Sequence, residues 1–243
     1  MRGGYQGWTN EYSAAEGCGP GATAKKGRSG AESARAAGEK GASMKVLPVS
    51  ILLPVLMAVG CSGLGSEPPA LRCTVGDCIN GTGRIGAGEV YYSGRFKDGL
   101  PEGKGALYQG GTEIYSGDFR GGQFHGSGIY RFKDGSVYRG NFQNGRFHGQ
   151  GELDLDSGNS YRGQFRNGQY HGSGTFVYLD GSRYVGEFQK GHPEGKGRFE
   201  SYSGALIKGE FQDGSLNGEA KVELPGEPAF TGRFENGQLK EIL

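Results

Sequence analysis

Residues 138–160 read YRGNFQNGRFHGQGELDLDSGNS, and residues 161–183 read YRGQFRNGQYHGSGTFVYLDGSR. The two stretches align without an insertion, with an aromatic residue first, glycine third and an aromatic residue again fifth. The same register continues in both directions at a 23-residue period, which indicates repeats that pack mainly against their neighbours. The first positions are Tyr92, Tyr115, Tyr138, Tyr161, Tyr184, Ile207 and Phe230, and the fifth positions are Phe96, Phe119, Phe142, Phe165, Phe188, Phe211 and Phe234.

Each repeat has the pattern of a β-hairpin. Residues at even spacing in an extended strand share one face, so the first, third and fifth positions point the same way. A turn sequence such as Gln143-Asn144-Gly145 follows, and Asn-Gly favours tight hairpin turns. A second turn, at Gly158 in this repeat, leads into the next tyrosine. The pattern predicts an all-β protein, an elongated twisted single-sheet ribbon of stacked antiparallel β-hairpins.

Glycine is unusually abundant, at 51 of 243 residues, alongside 13 Tyr and 13 Phe. Glycine inside a strand normally weakens that strand, so its regular recurrence implies a steric requirement. We expect the tyrosine and phenylalanine rings to lie flat over backbone that glycines on neighbouring strands leave bare. The periodic aromatics also argue against disorder in this part of the chain.

The register Y-x-G-x-F-x-x-G-x-x-x-G-x-G at this period resembles the MORN repeat (membrane occupation and recognition nexus), over about 150 residues in six full and two partial copies. The resemblance implies a curved single-sheet ribbon that serves as a scaffold, a dimerisation module or a membrane-binding module. Some MORN proteins carry fused enzymes, but no stretch outside these repeats suits a catalytic domain. We therefore predict a protein that is not an enzyme and needs no cofactor.

A second resemblance concerns the segment that begins at Met44, MKVLPVSILLPVLMAVGCSG. A lysine, an apolar run and small residues before a cysteine are similar to a bacterial lipoprotein signal. This predicts a signal peptide at 44–60, a lipidated Cys61 and a flexible tether over 61–71. Residues 1–43 then read as a disordered leader upstream of the true translation start. The alternative is that the apolar run is a buried strand or helix.

The two cysteines in CTVGDC, Cys73 and Cys78, lie within residues 72–91, which read as a degenerate capping repeat before the array at 92–243. In an exported protein the pair predicts a disulfide that holds the first hairpin. Half of a zinc site is the alternative, although no further Cys or nearby His completes four ligands.

Three histidines, His125, His148 and His171, occupy one slot in successive repeats. Equivalent residues lie two strands apart, about 9–10 Å, whereas a zinc ion needs ligands near 2 Å. The same slot holds Glu102 and Glu194 in other repeats, so a polar residue at the start of the returning strand explains the pattern. We predict no metal site.

The predicted interaction surface is the aromatic face of the ribbon, because a single sheet leaves part of such a row accessible. Its residues are Tyr92, Phe96, Tyr115, Phe119, Tyr138, Phe142, Tyr161, Phe165, Tyr184 and Phe188. The expected partner is a protein, an envelope polymer or a second copy of the chain, at a lipid-anchored position in the cell envelope. Direct binding of phospholipid headgroups is the alternative. The net charge of +1 gives no basic surplus for nucleic acid.

Overall fold

The computed structural model describes residues 70–243. The predictions for the leader at 1–43, the signal peptide at 44–60, Cys61 and nearly all of the tether lie outside the described residues. Sixteen strands follow one another along the chain, and residues 70–243 contain no helix. They are β1 (Arg72–Gly76), β2 (Thr82–Ala87), β3 (Val90–Lys97), β4 (Leu100–Gln109), β5 (Thr112–Arg120), β6 (Gln123–Arg131), β7 (Val137–Gln143), β8 (Arg146–Asp154), β9 (Ser160–Arg166), β10 (Gln169–Val177), β11 (Arg183–Gln189), β12 (His192–Glu200), β13 (Leu206–Gln212), β14 (Ser215–Glu223), β15 (Phe230–Glu235) and β16 (Gln238–Ile242).

The strands form one open sheet in chain order, and every neighbouring pair is antiparallel. This confirms the predicted ribbon of stacked hairpins. Each repeat contributes two strands, joined by a first turn, and a second turn leads to the next repeat. The register shifts in the first hairpin of every full repeat, as between Gly140 and Asn141 on β7, where the partner strand contains extra residues. Such bulges bend a strand and increase its twist.

The first turns adopt the conformation that their sequences predict. In the β7–β8 turn, Asn144 has φ of 50° and Gly145 has φ of 74°. Positive φ at both central residues is the type I′ geometry, whose twist matches that of the flanking strands. Asn, Asp and Gly tolerate this conformation better than other residues, which explains their recurrence at these turns.

The strand glycines make room for the tyrosine rings, as predicted. A β-carbon added at Gly151 on β8 would lie 2.5 Å from the hydroxyl oxygen of Tyr138 and 2.6 Å from its ring. Gly140 faces Gly151 across the strand pair, and the tyrosine ring covers both. The sixth repeat supports the same explanation: Ile207 replaces the tyrosine there, and Ala220 replaces the second glycine. Without the long ring, a methyl group is accommodated.

The first hairpin, β1 and β2, is closed by a disulfide between Cys73 and Cys78, whose Cα atoms lie 5.9 Å apart. All of β1 is exposed, and its register with β2 shifts between Cys73 and Val75. A bulged and crosslinked edge strand is a poor template for pairing with another chain. The last strand, β16, is also exposed along its whole length.

Candidate interaction surface

The predicted aromatic surface is not accessible. Tyr92, Phe96, Tyr115, Phe119, Tyr138, Phe142, Tyr161, Phe165, Tyr184 and Phe188 are each no more than 5% exposed. The prediction assumed that nothing covers the row, and this assumption was wrong. The covering residues are the aromatics of the returning strands, as where Phe147 stacks on Tyr138 with ring centroids 3.7 Å apart. Phe142 and Phe165 pack edge-on against the same tyrosine ring, each with its ring centroid 5.1 Å from that of Tyr138.

The sequence does contain a sign of this covering layer. An aromatic residue directly precedes each of His125, His148 and His171. Aromatics at that position supply a second layer of rings from the same sheet. The row that looked like a binding face is therefore the hydrophobic core of the ribbon.

The tyrosine hydroxyls are also engaged inside the ribbon. Tyr138 donates a hydrogen bond to the carbonyl oxygen of Asn141 at 2.8 Å, and Tyr92 donates to that of Arg95 at 2.9 Å. Burial raises the pKa of Tyr92 to about 12, against a smaller opposing effect of its hydrogen bond. These phenols remain protonated donors at neutral pH, so their role is structural.

The opposite face of the sheet is polar, and most of its charged side chains lie close to a side chain of opposite charge. Ion pairs between neighbouring strands cross it, and most of their side chains are exposed, so each contributes little to stability. The pairs are Lys104–Asp118 at 2.9 Å, Arg139–Asp154 at 2.6 Å, Arg162–Glu152 at 2.6 Å and Arg183–Glu200 at 2.8 Å.

The second turns form one long edge of the ribbon, and hydrogen bonds join each turn to the next. The amide of Leu179 donates to Asn159 Oδ1 at 2.8 Å, and the amide of Tyr202 donates to Ser182 Oγ at 2.9 Å. Ser182 is itself buried. These bonds fix the positions of the turns and were not predicted from the sequence.

We expect Ser182→Ala to lower the free energy of unfolding by about 1 kcal/mol, because the Tyr202 amide loses its acceptor. Ser173→Ala is the matched control, since Ser173 is exposed on the sheet face. Equilibrium unfolding in urea measures both. Equal effects of the two substitutions would show that the bond to Tyr202 contributes nothing.

Two large apolar side chains are exposed on this edge, in consecutive second turns. Leu179 is 74% exposed and Tyr202 is 81% exposed, in the same slot of consecutive repeats. Lys133 and Asp156 occupy that slot in earlier repeats, so the fold does not require an apolar residue there. That contrast is the sequence signal for this surface, and the sequence-based prediction overlooked it.

The described part of the chain contains no cluster of metal-ligating side chains. Within residues 70–243, no three His, Cys, Asp or Glu side chains come together as metal ligands would. The slot shared by His125, His148 and His171 serves a different purpose where it holds an acid. Glu102 accepts a hydrogen bond from the amide of Gly121, in the first turn of the next repeat, at 2.9 Å.

The predicted lipidation site, Cys61, lies outside the described residues. Over 70–243, no helix has the length and hydropathy needed to span a membrane.

Comparison with known proteins identifies the repeat. The family model for the MORN repeat matches residues 92–112, 115–137, 138–160, 161–183 and 184–205. No curated protein matches the chain. Among solved structures, the TCP domain of SAS-4 (dCPAP) from Drosophila melanogaster, in complex with a proline-rich motif of Ana2 (dSTIL), shares 12% identity and a TM-score of 0.42, over 71% of this chain and 98% of that one. The MORN family model thus matches five consecutive repeats of this chain, within a hairpin array that continues beyond them on both sides.

Proposed function

We propose that this chain is a membrane-anchored lipoprotein whose repeat array is a non-catalytic scaffold for binding another protein in the cell envelope. The observation that carries the proposal is the exposure of Leu179 and Tyr202 on the second-turn edge. Large apolar side chains exposed in consecutive turns, where the fold does not need them, suit a contact with another protein. Tyrosine is also frequent among the residues that dominate protein interfaces.

The repeat pattern supports a scaffold over an enzyme. In each repeat, the residues at the tyrosine, glycine and phenylalanine positions pack in the core of the ribbon. Charged residues on the opposite face form ion pairs with one another. The tips of the second turns vary from repeat to repeat, with Lys133, Asp156, Leu179 and Tyr202 in one slot. Variable tips on a constant support are typical of binding proteins built from repeats.

Phospholipid binding is less consistent with the same edge. Asp134, Asp156 and Asp180 lie in three successive second turns, and Asp180 directly follows Leu179, so their charges oppose contact of this edge with anionic headgroups. Liposome flotation of the unlipidated chain separates the two functions. Flotation on anionic liposomes that is lost in Leu179→Ser would favour lipid and contradict the protein-binding proposal.

Photo-crosslinking in intact cells tests the protein contact directly. With a photoreactive residue at position 202, we expect an adduct of one defined mass that disappears when Leu179→Ser is added. A photoreactive residue at Gln164, exposed on the sheet face, is the control. The same adducts from both positions, or none from position 202, would contradict a partner at the second-turn edge.

The anchor is tested separately by the intact mass of the native protein. The proposal expects Cys61 to be the first residue and to carry the mass of its lipid. Ser62 after the cysteine is consistent with the outer membrane if the cell has two. A peptide from residues 1–43 in the mature protein would rule out both the signal peptide and the start at Met44.

A further inference from the structure

The first turns form the other long edge of the ribbon, and their charges differ from those of the rest of the molecule. Each of four consecutive first turns carries one cation, and we call this set the basic edge. The turn sequences 119–126, 142–149 and 165–172 contain no Asp or Glu. The residues of the basic edge are Arg120, Arg146, Arg166 and Lys190.

These four cations differ from those of the sheet face in having no acidic partner. Over residues 70–243, none of the four forms a salt bridge, whereas Arg139, Arg162 and Arg183 on the face all do. Arg120, Arg166 and Lys190 are exposed, and Arg146 is half-buried. Two acids also lie along this stretch, Glu102 beside the turn of Arg120 and Glu194 in the segment of Lys190, and each accepts a hydrogen bond from an amide of the next first turn. Four cations against two acids still give a local positive potential that the net charge of +1 conceals.

We propose that the basic edge binds an extended acidic polypeptide segment of a partner protein. First turns of successive repeats lie two strands apart, about 9–10 Å. A peptide in the extended polyproline II conformation advances about 3.1 Å per residue with three residues per turn, so every third side chain faces the same way about 9 Å apart. Carboxylates at every third residue of such a peptide therefore match successive turns. Three of the four cations are arginines, which bind carboxylates through two parallel hydrogen bonds.

The acidic second-turn edge of another copy fits the basic edge less well. Asp154 and Glu200, at the strand ends next to that edge, already pair with Arg139 and Arg183 on the sheet face, so the acids that it offers are those of the turn tips, such as Asp156 and Asp180. An acidic peptide brings carboxylates that have no such partners. The inference deepens the proposed scaffold function and rests on it, since it names the chemistry of one partner segment.

The test is fluorescence anisotropy of the full chain with a labelled 12-residue peptide that has glutamate at every third position and serine elsewhere. A peptide of the same composition with its four glutamates contiguous is the control ligand. We expect the spaced peptide to bind more tightly, and its binding to weaken as the salt concentration rises.

Two triple variants that remove equal charge make the test specific. The first triple variant removes three cations from the basic edge by Arg120→Gln, Arg146→Gln and Arg166→Gln. Glutamine is tolerated in these slots, because other repeats carry Gln143, Gln123 and Gln169 there. Arg139→Gln, Arg162→Gln and Arg183→Gln remove three from the face. We expect about tenfold weaker binding for the first triple and less than twofold for the second.

Three outcomes would overturn the proposal: no binding by the unsubstituted chain, equal weakening by both triples, or equal affinity for both peptides. Sedimentation of the chain without peptide tests whether a second copy of the chain binds the basic edge instead. Self-association that the edge triple abolishes would assign the edge to a second copy and contradict an acidic peptide partner. Failure here leaves the adduct expected at position 202 unaffected, because that residue lies on the opposite edge.

Discussion

Gly151→Ala is expected to lower the free energy of unfolding by about 3 kcal/mol, a large effect for one methyl group. The new β-carbon would lie 2.5 Å from the hydroxyl oxygen of Tyr138 and 2.6 Å from a ring carbon. The ring cannot move away easily, because Phe147 stacks on its other side and its hydroxyl is bonded to Asn141. The strand backbone at Gly151 is not in a left-handed conformation, so the effect isolates the steric role of the glycine.

A double-mutant cycle makes this prediction specific to the ring. In a Tyr138→Ile background, Gly151→Ala should cost less than about 1 kcal/mol, because the colliding atoms are gone. Ile207 and Ala220 form this combination naturally in the sixth repeat. Urea unfolding of the four proteins measures the coupling. An equal cost of Gly151→Ala in both backgrounds would mean that backbone entropy, not the tyrosine, explains the glycine.

The sequence was sufficient for the fold because each position in the repeat has one local physical cause. Asn144 and Gly145 specify a turn by their backbone preferences, and the spacing of Tyr138 from Gly140 specifies a shared face. A fixed 23-residue period then leaves one way to stack the units. None of these inferences requires knowing which distant residues meet, since each repeat contacts its neighbours.

The candidate surface was harder to predict because accessibility depends on what covers a side chain. The exposed row expected at Tyr138 and Phe142 is buried by Phe147, which belongs to the returning strand of the same hairpin. Conversely, Leu179 looks like an ordinary apolar residue in the sequence, and only its position at a turn tip leaves it exposed. Burial in a bent sheet is a three-dimensional property that strand alternation does not encode.

The second large effect is a steep loss of stability in alkali. Burial raises the pKa of Tyr92 to about 12, and those of Tyr115, Tyr138, Tyr161 and Tyr184 also rise because of burial. Their pKa in the unfolded chain is about 10. Below that pH, both states hold the phenolic protons and stability does not depend on these groups. Above it, the unfolded chain releases protons that the folded chain retains, so the free energy of unfolding falls as pH rises.

Each such tyrosine contributes a slope of about 1.4 kcal/mol per pH unit between pH 10 and 12. Burial also raises the pKa of Tyr130 and Tyr178, so the seven together give about 10 kcal/mol per unit. Tyr138→Phe should reduce that slope by about one seventh, although it also removes the hydrogen bond to Asn141 at every pH. Phe142→Leu is the control and should leave the slope unchanged, since it alters a buried ring that has no ionisable group. Urea unfolding at intervals from pH 8 to 11.5 measures all three proteins. A slope that both substitutions reduce equally, or neither reduces, would show that the buried tyrosines ionise as readily in the folded ribbon as in the unfolded chain.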